Sequence, residues 1–379
     1  MINLKFPFFS RKRRFLIVSN YVADNQQSMI RFSSLMKSVY SKYGSVCIVS
    51  PPVFLTRLPF FPKKFNKYLA YIDKLIIFPP YLLVLSYFFD LVHIGDHSNA
   101  FYSFVCPSNR TIITCHDLLA VRAAMGDDTV ACESSFLGPI FQFLVMTGLR
   151  HTKAIGFDSK ATFQDYLKLG GSPNSQNHKV IHIPLNASFV SDPILLGQNE
   201  LNFELPKTPY LLMVGSAQPR KNRKLALQLL ESLGPTGSYN LIFAGEGLTD
   251  SEVTFKKSSK FGCNLFSVVS PSHELLNSLY CNAHALLFPS ISEGFGWPLI
   301  EAQSSGCPVI ASTATSIPEV AGRGALYALP NDVDMFKHHV IKLEDFVIRT
   351  RMISLGFENL NRFDLDTFTC KYLELASSL

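Results

Sequence analysis

The chain is poor in charge, and its first part is poorest in acid. Only 17% of its 379 residues are Asp, Glu, Lys or Arg, against 47% hydrophobic. That composition excludes extended disorder, because disordered chains lack the apolar material to bury. The first 74 residues hold 13 Lys and Arg but only Asp24 and Asp73 as acids. With a net charge of +6 overall, the rest of the chain is therefore acidic on balance. The eight cysteines are scattered with no Cys-x-x-Cys pair, so neither a disulfide framework nor a zinc site is expected. The first apolar stretch ends in Ser19-Asn20-Tyr21-Val22 instead of the Gly-x-Gly-x-x-Gly turn that a dinucleotide oxidoreductase needs.

Long apolar runs are also scarce. Leu75 to Phe89 is the longest, at 15 residues with Pro79-Pro80 inside it, whereas a crossing helix needs ~20. The run is read as core-facing helix leading into a strand, with no spanning segment. Arg11 to Arg14 is followed by too short an apolar stretch for a secretory leader,. The expected location is cytoplasmic, peripheral on the inner face of the membrane. Aromatics interleave with cations in Phe6 to Arg14 and Arg57 to Tyr68, which suits an anionic membrane surface at ~1 kcal/mol per basic residue. A solvated face is the alternative. Nucleic acid is not expected as a partner, since no binding motif accompanies the charge.

Short apolar stretches alternate with helical ones along the chain. Strands are expected at Arg14 to Val18, Ser45 to Val49, Asp90 to Ile94, Thr111 to Cys115, Lys153 to Phe157 and Lys179 to Ile183. A second set follows at Tyr210 to Val214, Asn240 to Ala244, Asn264 to Phe266, Ala285 to Phe288 and Pro308 to Ala311. Alternation of this kind implies α/β architecture with parallel sheets covered on both faces. Pro184 to Pro209 carries four prolines and little periodicity, the mark of a linker. The chain is thus divided into a first Rossmann-like domain (1–190), a linker (191–207), a second Rossmann-like domain (208–362) and a terminal helix (363–379). The two domains are expected to face each other across a cleft, with ligands at the carboxyl ends of the strands.

Chemistry concentrates in Ser290 to Glu319, SISEGFGWPLIEAQSSGCPVIASTATSIPE. Gly294 and Gly296 permit a sharp turn and close approach of a ligand, and Pro298 suits the first turn of a helix. The amides of Phe295, Gly296 and Trp297 would then sit at the positive end of that helix, where anionic or sugar oxygens can accept from them. Glu293 and Glu301 flank the turn, and carboxylates accept well from paired sugar hydroxyls. A second element, Val214-Gly215-Ser216-Ala217-Gln218-Pro219-Arg220-Lys221-Asn222, puts two cations at a strand-to-helix turn, where a diphosphate could be neutralised. A third, Thr114-Cys115-His116-Asp117-Leu118-Leu119, places His116 at a strand end of the first domain.

Together these residues resemble the retaining GT-B glycosyltransferases of family 4. Their paired-glutamate motif is similar to Glu293-Gly-Phe-Gly-Trp-Pro through Glu301-Ala, and the likeness continues through Gly306-Cys-Pro-Val-Ile-Ala-Ser and Ser316-Ile-Pro-Glu-Val-Ala-Gly. Val214-Gly215 with Arg220-Lys221-Asn222 looks like the family's phosphate element, and Thr114-Cys115-His116-Asp117-Leu118 like its Thr-x-His-Asp-Leu. The first loop departs from the pattern, having no Gly-Gly pair. The resemblance implies a GT-B fold whose last helix crosses back to the first domain. It also implies that Arg220 and Lys221 hold the diphosphate, that Gly215 makes room for it, and that Glu293 and Glu301 hold the transferred sugar and the ribose. Val269 would lie by the base, and His116 would touch the sugar.

The function so implied is transfer of a hexose, with retention, from a nucleotide diphosphate sugar to a hydroxyl of a glycan or lipid-linked acceptor in cell-surface polysaccharide synthesis. The proposed catalytic groups are His116, Glu293, Arg220 and Lys221. Donor contacts would come from Gly215, Arg220, Lys221, Val269, Glu293, Gly294, Phe295, Gly296, Trp297 and Glu301. No cofactor is expected, and no metal. The competing reading is a non-catalytic nucleotide-sugar binding module of the same fold.

Overall fold

The computed structural model describes residues 12–24, 26–58, 65–132, 138–172, 177–185, 189–191, 205–234 and 239–379. The basic segments 6–11 and 59–64, and residues 192–204 of the expected linker, lie outside them. The chain forms two compact units, one within Met1–Met125, Ser134–Asn186 and Leu365–Leu379, the other within Gly126–Glu133 and Ala187–Asp364.

The first unit is built on six parallel strands: β1 (Arg13–Val18), β2 (Gly44–Val49), β3 (Leu91–Ile94), β4 (Thr111–Cys115), β5 (Ala154–Phe157) and β6 (His178–Val180). Their order is β2-β1-β3-β4-β5-β6. Every residue of β3, β4 and β5 is buried, as expected of parallel strands covered on both faces. Leu16, Val18, Ile94, Ile113, Ile155 and Phe157 form the centre of its core.

The helix Leu365–Ser377 belongs to this unit although it ends the chain. Its buried Tyr372 shares a 2.7 Å hydrogen bond with Thr114 Oγ1. A β-carbon on Gly156 would meet the Tyr372 hydroxyl at 3.0 Å, so the glycine on β5 is what lets this ring lie against the sheet. Farther out, Lys179 pairs with Glu374 at 2.8 Å.

The second unit repeats the plan with β7 (Tyr210–Gly215), β8 (Asn240–Gly245), β9 (Leu265–Val269), β10 (Ala285–Phe288), β11 (Val309–Ser312) and β12 (Ala325–Ala328). The order is β12-β11-β10-β7-β8-β9, all parallel. Leu225, Leu229 and Leu233, spaced one turn apart on the helix Arg223–Leu233, pack with Phe243, Leu287 and Phe336 in its core, the pattern of an amphipathic helix on a sheet. β12 was not anticipated, because four residues after Gly322-Arg323-Gly324 carry too little alternation to read as a strand.

Two outlying segments join this second unit. Phe189 is buried edge-on to the rings of His273 and Tyr280, and Val190 exchanges two 3.1 Å bonds with the Asn277 side chain. Residues 189–191 of the proline-rich stretch are therefore held by the second unit, whereas Pro184 and Leu185 belong to the first. Val130, from the piece Gly126–Glu133, is also buried, and its carbonyl accepts from Ser292 Oγ at 2.7 Å.

One helical segment differs from its expected form. The apolar run with Pro79-Pro80 inside it lies, up to Ser86, in a continuous helical stretch of 21 residues, Asn66–Ser86, long and apolar enough to cross a membrane. A π-helical turn, Asp73–Ile77, precedes the prolines, which occupy the first turn of Phe78–Ser86. There the missing proline N–H groups do least harm. The Lys74 carbonyl instead accepts from the Tyr102 hydroxyl at 3.0 Å.

Candidate active site

In an open parallel sheet, ligand sites form where the strand order reverses, because the loops leaving two neighbouring strands part there. In the second unit that point lies between β7 and β10. The loops leaving these strands carry the Arg220-Lys221 pair and Glu293.

After β7 the chain turns through Gly215 at φ +128°. Its neighbour on β8, Gly245, has φ +124°, and a β-carbon there would come within 2.7 Å of the Gly215 carbonyl. Pro219–Lys221 form a short 3-10 turn that ends at Asn222, left-handed at φ +58°. Asn tolerates that conformation better than most residues. Its side-chain amide donates to Pro289 O at 3.1 Å and Pro330 O at 2.7 Å, tying three loops together. The main chain adds a link, Ile291 N to Arg220 O at 2.7 Å.

This turn aims both cations at one acid. Arg220 Nη1 donates to Glu293 Oε2 at 2.6 Å, and Lys221 Nζ donates to Oε1 at 2.7 Å. Burial alone would raise the Glu293 pKa, but Lys221 and Arg220 outweigh it and hold the carboxyl at about 2. The Lys221 ammonium is pulled down by burial, which the Glu293 charge only partly offsets.

The Glu293 loop is clamped from the far side by two residues whose part was not foreseen. Thr315 Oγ1 accepts from Glu293 N and donates to Glu293 O, both at 2.9 Å. Ser316 Oγ lies 3.0 Å from Glu293 O and 3.1 Å from Phe295 O. The Ser316-Ile-Pro-Glu-Val-Ala-Gly stretch was legible as part of a motif, but its hydroxyls' targets were not.

Gly296, at φ +105°, is the N-cap of the helix Trp297–Ser304, with Pro298 in its first turn. Phe295 is buried with its ring edge-on to Phe363. Glu301 is buried on this helix and accepts from the Tyr280 hydroxyl at 2.9 Å. At the end of β9, Val269 is 64% exposed, and it lies over the Cα face of Gly247. The structure thus joins Arg220, Lys221 and Glu293 directly, and sets Glu301 beside Tyr280. Asp-x-Asp spacings do occur, at Asp332 with Asp334 and at Asp364 with Asp366. Asp332 serves as a helix cap, accepting from Met335 N at 2.9 Å.

The first unit has its own switch point, between β1 and β3. Asn20 Nδ2 donates to Asp96, and Asn99 Nδ2 donates to Asn20 Oδ1 at 3.0 Å. His116 is buried beside this cluster. Its Nε2 donates to Gly95 O at 2.8 Å and its Nδ1 to Asp158 at 2.5 Å. Burial opposes the charge on this ring, but Asp158 outweighs it and lifts the pKa to about 9. The expectation of a ring nitrogen turned to a sugar hydroxyl is not met in this geometry, since both nitrogens have protein acceptors. His93, one strand away, goes the other way, to about 3, chiefly through burial.

Comparison with known proteins agrees with this fold. Residues 199–353 match the family described as Glycosyl transferases group 1. The chain is 32% identical over 173 residues to O-antigen chain mannosyltransferase B of Escherichia coli, covering 44% of this chain and 45% of that one. It is 30% identical over 253 residues to O-antigen chain mannosyltransferase RfbU of Salmonella typhimurium, covering 63% and 64%. These matches thus span about half to two thirds of the relatives' length.

Among solved structures, the sucrose-phosphate synthase of Thermosynechococcus elongatus superposes with a TM-score of 0.75 at 18% identity, over 97% of this chain and 99% of that one. Anabaena HepE, solved with UDP and glucose, gives 0.70 at 14% identity, over 97% and 100%. The fold is GT-B, and residues 199–353 are similar to the group 1 glycosyltransferases.

Proposed function

We propose that the protein transfers a hexose, with mannose the leading candidate, from a nucleotide diphosphate sugar to a hydroxyl of a glycan or lipid-linked acceptor in surface-polysaccharide synthesis. The observation that carries this reading is the convergence of Arg220 and Lys221 on Glu293 at the switch point of the second sheet. Mannose is favoured because the O-antigen relatives are named mannosyltransferases.

In this reading the donor diphosphate competes with Glu293 for the two cations. Arg220 and Lys221 then stabilise charge building on the leaving diphosphate, an electrostatic contribution of preorganised groups. Glu293, released in part from the cations, accepts from hydroxyls of the transferred sugar, and the amides of Gly294 to Trp297 line the same turn. Glu301 holds the ribose, and Val269 offers its exposed face to the base. Gly215 keeps the floor of the turn low enough for the phosphates. Retention of anomeric configuration follows the family resemblance and needs no protein nucleophile, because the leaving phosphate oxygen takes the acceptor's proton. No metal step is invoked. His116, with both nitrogens engaged, positions the Gly95 loop.

The test is a screen of UDP-, GDP- and ADP-sugars for thermal stabilisation and for sugar release or transfer. A ligand at a hundredfold its dissociation constant stabilises by ~2.7 kcal/mol. One nucleotide should stabilise the protein and its mannose conjugate should turn over. Stabilisation without turnover by any donor would make the protein a binding module instead, and no stabilisation at all would remove the phosphate assignment.

A further inference from the structure

We infer that the helical stretch Asn66–Ser86 and the residues just after it form a membrane-docking face, laid in the headgroup region of an anionic bilayer. The inference does not rest on sugar transfer.

The stretch has two faces. One is fixed to the first unit: Leu69, Asp73, Phe78, Leu82 and Ser86 are buried. Asp73 accepts from Tyr21 Oη at 3.0 Å, Phe54 N at 3.2 Å and Leu55 N at 3.1 Å. The opposite face should be polar if water covered it. Instead Tyr68, Ile72, Ile76, Val84 and Tyr87 follow one another at three- to four-residue intervals or multiples of them, all exposed, Ile76 at 64% and Val84 at 63%. Leu83 and Phe88 widen this stripe. A second helix, Gly138–His151, touches the stretch through the stacked rings of Tyr71 and Phe141 at 4.5 Å, and it exposes Ile140 and Phe143. Contiguous apolar surface of this kind marks an interaction site.

Charge selects the occupant. Between residues 57 and 88 the sequence holds Arg57, Lys63, Lys64, Lys67 and Lys74 against Asp73 alone; Asp73 is buried, and Lys74 is neutralised by Asp24 at 2.5 Å. Arg57 and Lys67 are exposed near the start of the stripe, and the Arg110 guanidinium lies 5.6 Å over the Tyr87 ring at its far end. Apolar residues and tyrosines flanked by cations suit an interface of acyl chains and anionic headgroups. Only 28% of the most apolar part of the stretch is buried. Even so, the Asp73 network and the Leu82 face anchor it to the sheet, which fits a helix lying on the bilayer better than one crossing it.

The test is flotation of the full chain with vesicles of phosphatidylcholine alone and of phosphatidylcholine mixed with phosphatidylglycerol. The wild-type protein should float with the mixed vesicles. Ile76→Glu with Val84→Glu should lower the bound fraction about tenfold or more and leave the thermal midpoint and the nucleotide-induced shift unchanged. Val84→Ser with Tyr87→Ser repeats the test without added charge, should the first variant unfold. Arg57→Gln with Lys67→Gln should weaken binding to the mixed vesicles alone.

Apolar variants that float like the wild type overturn the inference, as does a wild-type chain that floats with neither vesicle. A dimer dissociated by these variants in the absence of vesicle binding gives the face to a second copy. A protein that resists alkaline extraction crosses the bilayer instead, and this also overturns the inference. Loss of transfer to a soluble acceptor with flotation intact strikes only the proposed function.

Discussion

Each sheet gathers polar side chains where its strand order reverses, but the two clusters are balanced differently. In the first unit, the charged groups are bonded within the protein: Asp96 takes bonds from Asn20 and Ser98, and His116 gives both nitrogens to Gly95 and Asp158. In the second, a guanidinium and an ammonium share one carboxylate. That trio carries net positive charge and suits an incoming anion, whereas the first cluster offers a rigid wall. The same switch-point geometry therefore yields a bonded polar network in one sheet and an excess of positive charge in the other, and the difference lies in how many countercharges the loops supply.

The contrast is most sharply tested by removing one group from each side. Lys221→Ala should lower transfer by about 10²–10³-fold, as loss of a preorganised transition-state donor does, and abolish the nucleotide-induced thermal shift. His116→Ala should instead cost about 1–3 kcal/mol of stability, through two acceptors left unsatisfied, and retain that shift. A His116→Ala protein that folds but no longer responds to nucleotide would break the contrast.

Acid titration should be the next largest effect. Glu293 has its pKa depressed from 4.5 to about 2 in the folded chain. Its contribution to stability is therefore fully present above about pH 4.5 and is lost as pH falls through about 2. Denaturant midpoints followed down this range should fall less steeply in Glu293→Gln than in the wild type, and parallel curves would detach the acid from the cations.

The smallest effect concerns the knot under the cations. Asn222→Gly keeps the left-handed turn but loses the bonds to Pro289 and Pro330, at about 1 kcal/mol each. Asn222→Ala should cost about 1 kcal/mol more than Gly, because a β-carbon disfavours that conformation. Equal melting temperatures for the two variants would show that the turn relaxes away from it.

Much of this was open to a reader of the sequence. Eleven of the strands described were anticipated, because parallel strands buried on both faces are written as short apolar runs. The Arg220-Lys221 and Glu293 elements could be picked out from residue type and spacing. Thr315, Ser316 and Asp158 could not, since a hydroxyl or carboxylate reveals nothing of its partner until the loops are in place. The apolar helix was misjudged for a related reason. Composition shows that Leu75 to Phe89 is hydrophobic, but the side facing the core depends on where Asp73 finds its donors.

By itself the sequence determined the α/β plan, the basic first part, and the acids and cations of the proposed site, because periodicity and residue chemistry are local properties. Tertiary structure alone decided that the cations close on Glu293, that both His116 nitrogens are engaged, and that an apolar helix face is left uncovered. Pairing, burial and exposure depend on contacts between segments far apart in the chain, and only the folded sheets bring those segments together.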